Sequence, residues 1–215
     1  MDLLLQIADF FIHLDKYVEV IATQYGTLTY GILFLIIFLE TGIVITPFLP
    51  GDSLLFVAGT IAGIGSLNVV FLFLLLAIAA ILGDSMNYFI GDYFGNKMIS
   101  KNWVKKEYIE KTEKFYHKYG GKTIIIARFV PIVRTFAPFI AGIGKMNYSN
   151  FLFYNTVGGV LWVALFVFGG FFFGNIPIIK ENLTIVILVI IATSVLPGIY
   201  ELIKNRLSKN EKLPL

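Results

Sequence analysis

The chain has no cysteine, only two histidines and few charges: Asp, Glu, Lys and Arg make up 14% of its 215 residues. Without cysteine there are no disulfides and no thiolate-bound metals. His13 and His117 alone cannot build a histidine-rich site, so neither a metal nor another cofactor is expected. The GxSxG, phosphate-loop and paired-histidine zinc signatures are absent as well, which argues against an enzyme. No nucleic-acid partner is expected. A soluble domain carries about 25% charged residues, so an ordinary aqueous surface is excluded. What is present is 57% hydrophobic residues, a mean hydropathy of +0.81, and twenty Gly and seven Pro scattered among the apolar runs. These features predict an all-α polytopic membrane protein with broken helices.

Charge placement orients it. Residues 97–122 hold eight Lys against Glu107, Glu110 and Glu113, and the tail from Lys204 is basic too, so both are expected in the cytoplasm. Two clean apolar spans, 150–173 and 183–203, lie between them and return the chain to the side it left. Residues 123–144 should therefore enter and leave on the cytoplasmic face. Arg128, Arg134, Pro131 and Pro138 fit that reading, because each Arg at the bilayer centre costs about 2.5–3.5 kcal/mol and each Pro breaks the helical ladder. Upstream, a span over 27–44 leads into a second broken hairpin that runs to residue 64 and contains Pro47, Pro50, Gly51 and Asp52. The run 68–94 then crosses back. In all, about four transmembrane helices are predicted.

An internal repeat accompanies this pattern. Ile61-Ala-Gly-Ile-Gly65 with Asn68 recurs as Ile140-Ala-Gly-Ile-Gly144 with Asn147, and Gly91 and Gly95 recur at the same offset as Gly170 and Gly174. The expected units are 27–95 and 123–174, separated by the basic loop 96–122 and followed by a last span and tail over 183–215. One hairpin enters from outside and the other from inside, giving the inverted topology of alternating-access transporters. Residues 1–24 read as a separate amphipathic helix, with Leu3, Ile7, Phe10, Leu14 and Tyr17 on one face.

The residues able to carry chemistry are ionisable groups inside apolar sequence. Glu40 and Asp52 flank the first hairpin, and Arg128 and Arg134 lie in the second. Two acids balance two bases, so bringing the hairpins together at mid-membrane is the least costly arrangement. Two readings follow: the charges only lock the hairpins, or the Arg pair receives an anionic head group that matches the guanidinium fork. Glu40 is the leading candidate for proton exchange, followed by Asp52, which could instead cap the returning half-helix, and by Asp84. Pro47, Pro50, Gly51, Pro131 and Pro138 are expected to shape the hairpins. Gly158 and Gly159 should allow close helix contact, and Trp162 should be a packing residue.

The motifs Glu40-Thr-Gly, Pro47-Phe-Leu-Pro50-Gly-Asp52, Gly83-Asp84, Arg128-Phe-Val-Pro131 and Arg134-Thr-Phe-Ala-Pro138 together resemble the DedA family, also called VTT-domain or SNARE-associated membrane proteins. The resemblance covers residues 30–175. It implies a bacterial inner-membrane protein with two re-entrant hairpins, and among its members are undecaprenyl phosphate translocases and, in eukaryotes, phospholipid scramblases. It also implies functional roles for Glu40, Asp52, Arg128 and Arg134. The expected partners are a lipid phosphate, the surrounding lipids and a coupling proton or Na⁺, and the sequence is compatible with an oligomer. An uncoupled scramblase and a non-transporting assembly protein are the alternatives.

Overall fold

A computed structural model describes residues 20, 24–43, 51–101, 106–182 and 185–190; among these there are helices and turns but no strands. The helices are α1 (Leu28–Gly42), α2 (Gly51–Gly63), α3 (Val69–Ser100), α4 (Lys106–Tyr119), α5 (Thr123–Ala127), α6 (Pro131–Ile143), α7 (Tyr148–Phe173) and α8 (Pro177–Glu181), with a 3₁₀ turn at Gly120–Lys122. The predicted amphipathic helix apart from Val20 and Gln24, Pro47, Pro50 and most of 183–215 lie outside the described residues, although 185–190 are helical.

Two helices are long and apolar enough to cross a membrane: 27 residues of α3 and all 26 of α7. At 1.5 Å per residue each spans about 40 Å, more than the roughly 30 Å of hydrocarbon. Phe71, Leu74, Ile78 and Leu82 recur at helical spacing on α3 with about half of their surface uncovered (53%, 53%, 50% and 49%). Such a stripe would drive aggregation in water and is at home in lipid. The repeat motif ends each time in the residue that starts a long helix. Asn68 Oδ1 accepts from Phe71 N at 2.9 Å, and Asn147 Oδ1 accepts from Ser149 N at 3.0 Å and from Asn150 N at 3.3 Å.

The two halves pack crosswise. Short α2 of the first half lies along α7 of the second, while short α6 of the second lies along α3 of the first; α1 also packs on α3. Both short helices run parallel to their partners, since Asp52 meets Trp162 whereas Gly63 meets Phe171, and Phe139 meets Gly91 whereas Ile143 meets Gly95. Apolar burial drives little helix association in lipid, so close backbone approach matters more. A Cβ on Gly59 would strike the Val167 carbonyl, one on Gly170 the Phe56 carbonyl, one on Gly142 the Tyr88 carbonyl and one on Gly91 the Phe139 carbonyl. Around these contacts Ile37, Leu55, Leu72, Leu76, Trp162 and Val167 form one buried cluster, and Tyr88, Ile124, Val133 and Phe151 another.

The segment expected to be a basic loop is largely helical, because α3 runs on to Ser100 and α4 follows. On α4, Thr112 is fully buried and Tyr116, one turn later, donates from its hydroxyl to the Ala137 carbonyl at 2.9 Å. This narrow inner stripe is obscured in the sequence by the Lys and Glu around it.

Candidate functional site

Five ionisable residues and one indole meet where the short helices begin. Glu40 sits in the last turns of α1, Asp52 in the first turn of α2, and Asp84 in the middle of α3. Arg128 follows α5 in the turn leading to α6, whose first residue is Pro131, and Arg134 lies one turn into that helix. Pro starts a helix without loss, since the first N–H has no helical acceptor. Pro138, further along, deprives the Arg134 carbonyl of its helical donor.

The two guanidinium groups have separate partners. Arg134 Nη1 donates to Asp52 Oδ1 at 2.7 Å and Nη2 to Glu40 Oε1 at 3.2 Å. Arg128 Nη2 donates to Asp84 Oδ2 at 2.6 Å and to Asn155 Oδ1 at 2.5 Å. Asn155 is held in turn by the Ile81 carbonyl at 3.0 Å. Glu40 Oε1 also accepts from Gly51 N at 3.3 Å, so it serves the start of α2 as well as Arg134. A side chain at Gly51 would overlap the Glu40 carboxylate and push it from this position. The expected balance of two acids against two bases is therefore corrected to three carboxylates against two guanidiniums. The long α3 carries Asp84 past the α5–α6 turn, and Arg128 pairs there rather than with Glu40 or Asp52.

Trp162, expected only to pack, is central. It is fully buried, its Nε1 donates to Asp52 Oδ1 at 2.8 Å, and the Arg134 and Arg128 guanidinium carbons lie 5.3 and 5.7 Å from its ring. Both cations thus share one aromatic wall. Gly158 and Gly159 do more than let helices approach: a Cβ on either would come within 3.2–3.3 Å of the Arg128 side chain. Asn87 joins the halves by donating to the Thr41 carbonyl at 3.2 Å and the Thr135 carbonyl at 2.9 Å. Trp162 and Asn155 could have been suspected from the sequence only as polar-tipped residues within an otherwise apolar span.

The cluster is largely buried and incompletely bonded. Arg128 is 3% exposed, yet its Nε and Nη1 have no hydrogen-bond partner, and neither does Glu40 Oε2. A buried donor left unpaired costs about 1–3 kcal/mol, and more when charged. Spare guanidinium donors in an enclosed site can receive an oxyanion. A separate cavity of 450 Å³, lined by Glu113, Tyr116, His117, Ile140 and Met146 among others, shares no lining residue with this cluster. Nearby on the same side, Lys145 Nζ pairs with Asp92 at 2.5 Å, and that hydrogen bond holds the ammonium above its ordinary pKa.

The VTT domain model matches residues 49–172. Protein DedA of Escherichia coli is 52% identical over 211 residues, 96% of each chain. An uncharacterized membrane protein of Mycobacterium tuberculosis is 42% identical over 174 residues, covering 79% of this chain and 76% of the relative. The inner membrane protein YqjA of E. coli is 37% identical over 152 residues, 69% of each chain. No solved structure matches. With its two long apolar helices and a domain match spanning more than half its length, the chain is a membrane protein of the DedA family.

Proposed function

We propose that the protein moves a lipid phosphate, undecaprenyl phosphate in the first instance, between the leaflets of the bacterial inner membrane, with protons as the coupling ion. The supporting observation is Arg128: a 3%-exposed guanidinium in an apolar bundle with two donors unpartnered. Arg128 and Arg134 bind the phosphate, Trp162 holds them at a fixed separation, and Glu40 and Asp52 take up protons as the anion displaces them from Arg134. Asp84 keeps Arg128 compensated between cycles. The polyprenyl tail needs no protein cover, because it already dissolves in the bilayer. The broken helix pair α5–α6 and the segment leading into α2 act as opposed re-entrant hairpins, and the basic segment and C-terminus face the cytoplasm.

The test is reconstitution in liposomes with a labelled short polyprenyl phosphate. Leaflet exchange should exceed that of protein-free vesicles, polyprenyl phosphate should compete, and neutral polyprenol should not. Equal competition by the two would refute phosphate recognition; equal transport of every phospholipid offered, independent of pH, would identify a scramblase.

A further inference from the structure

The two crossed helix packings are related by the repeat but are out of register by one helical turn. On α6–α3, Gly142 faces the Tyr88 carbonyl and Gly91 faces the Phe139 carbonyl. By the repeat offset, the matching contacts on α2–α7 would be Gly63 with Val167 and Gly170 with Thr60. The observed contacts are instead Gly59 with Val167 and Gly170 with Phe56. Both differ by four residues along α2, in the same direction.

The second register is open to α2 and closed to α6. Gly59 and Gly63 are one turn apart, so either can lie against the Val167 carbonyl; the position in α6 corresponding to Gly59 is Pro138, whose ring cannot approach the Tyr88 carbonyl. Among the described elements, α6 is held by α3, α4 and α5, whereas α2 rests mainly on α7. The neutral bonds that seat α2 are also renewed one turn on. Asn175 donates to the Thr60 carbonyl at 3.1 Å and the Thr60 hydroxyl to the Gly170 carbonyl at 3.3 Å, and backbone carbonyls recur every turn.

The contacts of Asp52 change most, since it leaves both Arg134 and Trp162. A one-turn slide of about 6 Å carries Asp52 from the level of Trp162 to that of Gly158. The neighbours there are Arg128 and α5: the Arg128 Cδ and the Ile125 Cα each lie 3.2 Å from a Cβ built on Gly158, so the Arg128 side chain must turn to receive the carboxylate. The unpartnered Nε and Nη1 of Arg128 would then gain an acceptor. We infer that α2 slides one turn along α7 with α6 fixed, and that Asp52 thereby passes from Arg134 to Arg128, releasing Arg134 for an incoming anion. The slide and the exchange rest on geometry alone; the release of Arg134 to a lipid phosphate rests on the proposed function.

The absence of native cysteine makes a disulfide test direct. A Cβ on Gly169 meets nothing closer than the Phe56 ring at 3.9 Å, so Gly169→Cys is tolerated. Paired with Phe56→Cys it reports the observed register, and paired with Thr60→Cys the slid one. Paired with Ala58→Cys, on the opposite side of α2, it reports neither. In oxidised native membranes the 56–169 and 60–169 disulfides should both form and 58–169 should not. A 60–169 pair that never forms, or a 58–169 pair that forms equally well, overturns the proposal. In phosphatidylcholine vesicles, polyprenyl phosphate should raise the 60–169 yield relative to neutral polyprenol. Equal yields with an otherwise intact pattern would leave the register exchange standing and count against the lipid-phosphate reading.

Discussion

Removing the carboxylate of Asp84 separates a lock from a binding site. The Asp84–Arg128 pair is 2.6 Å long, with side chains 5% and 2% exposed, so Asp84→Asn leaves a guanidinium buried without its counter-charge. Breaking a buried pair from one side costs about 3–5 kcal/mol. At 2–4 °C per kcal/mol for a chain of this size, the midpoint of thermal unfolding in detergent should fall on the order of 10 °C. Arg128→Met alone should also destabilise, because Asp84 is stranded instead. The double variant Asp84→Asn/Arg128→Met strands neither charge and should be more stable than either single variant, so the coupling between these directly contacting sites should exceed the single loss of about 3–5 kcal/mol. Transport discriminates further: if Arg128 binds phosphate, the restored double variant stays inactive, and if the pair only locks the bundle, activity returns with stability. Strictly additive single effects would refute the pairing, and an active double variant would refute the phosphate role.

Arg134→Lys keeps the charge but loses the fork that spans Asp52 and Glu40, so transport should fall at least about tenfold with the protein still folded in the membrane; wild-type transport would mean that a generic positive potential suffices. Glu40→Gln preserves shape and fixes the neutral state, so the transport rate should lose its pH dependence; a retained profile would move coupling to Asp52 or Asp84. Trp162→Phe keeps a ring but removes the donor to Asp52; it should weaken phosphate competition in liposomes without loss of folded protein, and unchanged competition would return Trp162 to a packing role. Reporters fused after Lys114 and Lys209 should both read cytoplasm and one near Glu181 the outside; opposite sides for the two basic sites would mean that 123–144 cross the bilayer.

The charged residues were legible because an ionisable group stands out in an apolar run: Glu40, Asp52, Arg128 and Arg134 could be singled out without knowing how the chain folds. Their pairing was not. Arg128 meets Asp84 and Asn155, and Arg134 meets Glu40 and Asp52, because α6 lies on α3 while α2 lies on α7. That crossing depends on close backbone contacts between helices far apart in sequence, such as Gly59 with Val167. Trp162 was hidden for a related reason: an indole in a long apolar helix is ordinary until a carboxylate from another repeat arrives beside it. Both long helices could be read from length and hydropathy. The helix α4 could not, since its inner stripe is short and its polar residues dominate the local pattern.

The crossed packing also gives the carboxylates a second meaning. Both short helices begin at the charge cluster, α2 at Gly51 and α6 at Pro131, so the partial positive charge at each N-terminus adds to that of the two guanidiniums. In the observed arrangement Glu40 answers both kinds of positive group at once, accepting from Gly51 N and from Arg134. Asp52 answers Arg134 and Trp162. The two acids therefore hold the positions at Arg134 that a substrate oxyanion would take, which on the proposed reading makes them internal stand-ins for the phosphate. An anion binding to Arg134 must displace at least one of them within an apolar bundle, where an unpaired carboxylate costs far more than a protonated carboxyl. On that proposed reading proton uptake follows directly from anion binding at this site, with no separate coupling device needed.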